Sequence, residues 1–70
     1  MDARARFAAN LRQERKRSGL SQEALGDRCD LHRTEIGLLE RGGRDPRLST
    51  ITRVAKGLGI SVQDLLRGVS

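Results

Sequence analysis

Apolar residues recur along this chain at helical spacing. Ala5, Ala8 and Leu11, continued by Arg15 and Ser18, run at intervals of three and four, with Phe7 flanking the same face and Asp2 placed ahead of them as a cap. Gly19 then interrupts, as glycine does just past a helix end, and Leu20 supplies the apolar contact that follows. Ser21 is the next cap, Glu23 suits the positive end of the helix behind it, and that helix runs to about Cys29. Asp30 falls in a turn that calls for a positive φ, which aspartate tolerates, though less well than glycine. A third helix is predicted from about His32 to Arg41, ended by Gly42-Gly43, and Arg44 to Arg47 form a loop. A fourth helix from about Ser49 to Leu58 carries the inner stripe Leu48, Ile51, Val54, Ala55 and Leu58. Gly59 closes it, and Ser61 caps a short last helix bearing Val62, Leu65 and Leu66. No alternating β-branched run occurs, so the expected fold is all-α, a single five-helix domain over residues 1–70.

The informative part is residues 21–41, two short helices joined by a tight turn. Helices that cross steeply need a small residue at the contact, and Gly26 and Ala24 are small. Leu25, Cys29 and Leu31 pack the inner side of the second helix and the turn, and Ile36 and Leu39 that of the third. Arg33, Thr34, Gly37 and Leu38 are left facing outward, with Glu35 and Arg41 further round. An α-helix fits the major groove of duplex DNA, and its N-terminal residues reach the base edges. There Arg33 forks onto guanine, Thr34 hydrogen-bonds a base or places its methyl on thymine, and Leu38 meets a thymine methyl. Arg28, His32, Arg41 and Arg44 are candidates for the phosphate backbone.

Charge and composition agree with that partner. The net charge is +5, and twelve of the 14 cations are arginine, whose planar fork matches phosphates and guanine edges. Single-strand binders stack bases on aromatic side chains, and Phe7 is the only one here, which directs the charge toward a duplex. One cysteine excludes an internal disulfide, and Cys29 reads as a small buried apolar residue. One histidine beside one cysteine makes no metal site. No long apolar run or leader-like segment occurs, so a cytoplasmic protein without a membrane segment is expected. Without a paired acid and base or a glycine-rich phosphate loop, neither enzyme activity nor a cofactor is expected, nor is a small-molecule ligand.

Four stretches, LRQERKRSGLSQEAL at 11–25, IGLLERG at 36–42, PRL at 46–48 and LGISVQDLL at 58–66, resemble the lambda-repressor/Cro-like (XRE-type) helix-turn-helix regulators along almost the whole chain. The resemblance implies that Gln22 contacts phosphate and braces the first reading residue, here Arg33, and that Thr34 and Leu38 hold the other base-facing positions. It implies that Arg15 and Glu40 pair to tie the first helix to the end of the third, that Arg44 lies in a loop along the DNA backbone, and that Arg47 touches phosphate or the minor groove. The chain departs from the family pattern at Asp30, where glycine is usual, at Gly37, which weakens a helix, and at Leu38, where polar residues are commoner. A homodimer on a near-palindromic operator is expected, joined through the region of about 58–70, with Ile60, Val62, Leu65, Leu66 and Val69 as its candidate interface. Glu23 and Asp27 read either as a solvated face or, by the resemblance, as a contact for RNA polymerase. With the chain ending after the last helix, no ligand-sensing domain is expected. Small members of the family include phage repressors, restriction-modification controllers and antitoxins. The alternatives to a regulator are an antitoxin that binds a protein partner, and a scaffold using these helices for protein contact alone.

Overall fold

The computed structural model describes residues 1–70 as five helices: α1 (Ala3–Arg17), α2 (Gln22–Cys29), α3 (Arg33–Glu40), α4 (Leu48–Leu58) and α5 (Val62–Leu65). Three starts are capped by short polar side chains. Asp2 accepts from the Ala5 amide, Ser21 from Ala24 and Ser61 from Asp64, each satisfying a donor that the first helical turn leaves unpaired. His32 caps α3 rather than opening it as a helical residue, and Arg41 is its C-cap. Gly19 and Gly59 follow α1 and α4 with positive φ, the conformation that an L side chain resists and that turns the chain out of a helix.

The core is contributed by every helix: Phe7 and Leu11 from α1, Leu25 and Cys29 from α2, Ile36 and Leu39 from α3, Val54, Ala55 and Leu58 from α4, and Leu65 from α5. The buried positions of α1 are Phe7, Ala8, Asn10, Leu11 and Glu14, so its inward stripe is rotated from the one expected. Ser18 is exposed, and Asn10 and Glu14 take inward places that the hydrophobic pattern assigned to nothing. Each is compensated. Asn10 Nδ2 donates to the carbonyls of Leu65 (2.9 Å) and Arg67 (2.8 Å), clamping the C-terminal segment onto α1. Glu14 receives Arg17 and Arg67 at 3.2 and 3.4 Å.

Two expectations are corrected. Leu48 is not part of the inner stripe of α4. It is the first residue of that helix, one turn beyond the core, and is 73% exposed. Leu65 is not available to an interface, because it lies with no exposure under α1 and α4. Ile60, Val62, Leu66 and Val69 are half-buried against the same core and keep part of their surface outward.

The angle between α2 and α3 depends on Gly26. A Cβ there would collide with the carbonyl oxygen of Leu31, whose amide donates back to the Gly26 carbonyl at 2.9 Å. Asp30 makes the turn possible with φ 58° and ψ 44°, the left-handed conformation. The carbonyls at that helix end are taken by α4: Arg53 Nε donates to the Cys29 carbonyl at 3.0 Å and its Nη2 to that of Asp30. A cation at a helix C-terminus also complements the helix dipole. At Gly57, α4 meets α2, and an added Cβ would stand 2.6 Å from Cys29 Sγ.

Candidate nucleic-acid interface

Helix α3 buries Ile36, Gly37 and Leu39 and turns its other side outward. Arg33 and Thr34 are exposed in its first turn, and Leu38, one turn on, is half-buried. His32 prepares this start. Its Nδ1 accepts the Thr34 amide at 3.0 Å, which fixes Nδ1 as the unprotonated nitrogen and leaves Nε2–H as the outward donor. Guanidinium, hydroxyl and isobutyl groups thus lie along one short outer face, a set able to read guanine and thymine edges.

The far end of α3 is fixed by charge. Glu40 is almost fully enclosed and accepts from Arg15 Nε (2.5 Å) and Nη2 (3.0 Å) and from Gln22 Nε2 (3.2 Å). Arg15 Nη1 meanwhile donates to the Leu20 carbonyl at 2.9 Å. The hydrogen bond with Glu40 raises the Arg15 pKa, against the opposing effect of burial, so the pair remains charged on the arginine side. Through this one carboxylate, α1, the start of α2 and the end of α3 are bound together.

Gln22 thus braces Glu40 through its Nε2. It also lies over Gly37. A Cβ on Gly37 would stand 3.5 Å from Gln22 Oε1 and 3.4 Å from Arg41 Nη1, so this glycine is covered by two polar side chains instead of facing outward bare. The partner of Arg33 is Glu23, with Nη1 and Oε2 3.6 Å apart and both side chains about two-thirds exposed.

The remaining arginines flank α3. Arg44 Nη1 stands 3.1 Å from Glu35 Oε1. Arg47 is the N-cap of α4 and makes no side-chain cap bond, leaving its guanidinium outward. Arg44, Arg47 and Arg53 line an open hollow of about 620 Å³ beside α3, together with Ser49, Thr50 and the carboxylates of Glu35 and Asp45. Arg28 lines a second hollow of about 460 Å³ with Asp30, Arg53 and Lys56, and does not join the face made by Arg33, Thr34 and Leu38. Arg53 went unrecognised in the sequence because its two backbone acceptors lie 24 and 23 residues away, beyond any local pattern.

The profile of the family described as "Helix-turn-helix" matches residues 11–65. Control protein C.BamHI of Bacillus amyloliquefaciens is 46% identical over 61 residues, covering 86% of this chain and 75% of its own length. Control protein C.SmaI of Serratia marcescens is 46% identical over 66 residues, covering 94% and 79%. Among solved structures, the restriction-modification controller protein C.AhdI from Aeromonas hydrophila superposes with a TM-score of 0.86 at 37% identity, covering 89% of this chain and 94% of that one.

Proposed function

The chain belongs to the helix-turn-helix family, and on that premise we propose that it is a sequence-specific regulator of transcription that binds duplex DNA as a homodimer. The observation that carries the reading is the outer face of α3. Arg33 and Thr34 are exposed and Leu38 is half-buried beside them, on a helix whose far end is pinned by the Arg15–Glu40–Gln22 cluster. In the complex α3 lies in the major groove, Arg33 forks onto guanine and Leu38 meets a thymine methyl. Arg44 and Arg47 follow the phosphates beside the groove, and His32 Nε2–H, Gln22, Arg28 and Arg41 add backbone contacts. Two subunits related by a two-fold axis place their α3 helices about 34 Å apart, one turn of DNA. The half-exposed apolar residues Ile60, Val62, Leu66 and Val69 form the subunit contact.

Similarity to three controller proteins supports the more specific role of a restriction-modification controller acting in the cytoplasm. Asp27, exposed on the outer side of α2, is available to a protein partner such as RNA polymerase. The test is selection from a random duplex library near physiological salt, with the stoichiometry of the recovered complex. A two-fold symmetric site with half-sites one helical turn apart, bound by two chains, is the expected result. Recovery of no enriched sequence would overturn it and leave salt-dependent attraction to any DNA.

A further inference from the structure

We propose that Glu23 is a specificity-determining residue for DNA reading, one that allows Arg33 to fork onto guanine while opposing its use as a free phosphate contact. The proposal rests on the assignment of Arg33 to the bases. Three features of the pair carry it. First, the closest approach of the pair is Arg33 Nη1 to Glu23 Oε2, at 3.6 Å, an ion pair too long to be a hydrogen bond, which leaves the guanidinium donors of Arg33 free. A guanidinium has five N–H donors, so Arg33 can hold the carboxylate through Nη1 and still present two donors to guanine O6 and N7.

Second, the two residues come from different elements. Glu23 is in the first turn of α2 and Arg33 opens α3, and the turn between them is fixed by Asp30 and the Leu31–Gly26 contact. The backbone that carries the carboxylate is therefore held at a set place beside Arg33. Third, the pair is exposed, and exposed pairs are weak. A strong pair would silence Arg33. A weak one changes only the balance between two modes of nearly equal energy. Phosphate contact brings a second anion close to Glu23, whereas contact with the uncharged guanine edge does not. Specificity is often gained by such a repulsive element against the wrong partner.

Glu35 with Arg44 supplies the comparison. Arg44 lies in the loop beside α3 and lines the open hollow there with Glu35, so its carboxylate partner should oppose all DNA alike. The experiment measures dissociation constants of the full chain for its selected duplex and for a random duplex of equal length, over a range of salt. The proteins compared are wild type, Glu23→Gln and Glu35→Gln, each checked for folding by circular dichroism. Glu23→Gln is expected to tighten random-duplex binding and lower the preference for the selected duplex by about two- to fivefold, the range that an exposed pair supports. Glu35→Gln is expected to tighten both duplexes by a common factor and leave the preference unchanged. An equal effect of Glu23→Gln on both duplexes, or no effect on either, overturns the proposal. A wild-type protein with no preferred duplex instead overturns the assignment of Arg33 to the bases, and the proposal with it.

Discussion

Removing either partner of the Arg15–Glu40 pair should strongly destabilise the domain, and removing both should cost less than the sum. Glu40 has 4% of its side chain exposed and Arg15 13%, so neither charge can be rescued by water when the other is gone. In Arg15→Ala the carboxylate keeps only the neutral donor of Gln22 at 3.2 Å, and the Leu20 carbonyl loses its donor. In Glu40→Ala the guanidinium keeps only Leu20. Breaking such a pair from one side costs about 3–5 kcal/mol. At about 0.05–0.15 kcal/mol per residue, a 70-residue domain has only about 3.5–10 kcal/mol in all, so each single variant should lose from about a third to all of its stability. Arg15→Met with Glu40→Leu removes both charges and keeps the volume, and should lie within about 1–2 kcal/mol of wild type.

The assay is urea unfolding followed by far-UV circular dichroism, since the chain has no tryptophan or tyrosine to report by fluorescence. A coupling free energy of about 2 kcal/mol or more between the two positions is expected, near the upper part of the range for contacting residues. DNA binding by the single variants should return in the cold or with an osmolyte, wherever the dichroism shows helix. Single variants that each cost under about 1 kcal/mol would mean the pair behaves as a solvated one, and the enclosure argument would be wrong. Folded single variants that still fail to bind DNA would show instead that the cluster takes part in contact.

Further outcomes are expected from the same reasoning. Arg33→Ala should cost about 1–3 kcal/mol of specific binding and relax preference at one base pair, read by repeating the duplex selection with the variant. Arg44→Ala should weaken all sequences alike and flatten the salt dependence by about one unit, read from dissociation constants across a salt series. Gly26→Ala should destabilise strongly, since its Cβ meets the Leu31 backbone, whereas Gly37→Ala should be tolerated and gain up to about 1 kcal/mol of helix propensity, because only the flexible ends of Gln22 and Arg41 lie near. Burial raises the Cys29 thiol pKa, outweighing the opposing pull of Arg53. Its contribution to stability is then fully present below the unfolded thiol value of about 8.5 and is lost as pH rises past it. Wild type should accordingly lose stability faster than Cys29→Ala in alkaline urea melts, and native Cys29 should react with iodoacetamide only as fast as the domain opens.

The elements were legible in the sequence because each carries a local instruction. Asp2, Ser21 and Ser61 cap the helices they precede, Gly19 and Gly59 end those they follow, and Asp30 takes the positive φ that its turn required. Periodicity was less reliable where polar groups are buried. Asn10 and Glu14 occupy inward positions of α1 because the C-terminal backbone and Arg67, distant in sequence, satisfy them together with the neighbouring Arg17, so the apolar pattern alone pointed to a rotated face. Leu48 failed in the opposite sense: it fits the apolar spacing of α4 but falls in the first turn, beyond the reach of the core. The same distinction divides the DNA face. Which residues stand outward on α3 follows from the burial of Ile36 and Leu39, a local matter. Which carboxylate each outward arginine meets does not, because Glu23 reaches Arg33 only after Asp30 and Gly26 have set the angle between two helices. The outward positions of α3 can therefore be read from the order of residues, while the acidic groups that meet them depend on the packing of the turn. A substitution at Asp30 or Gly26 should alter sequence preference even where the reading residues are untouched.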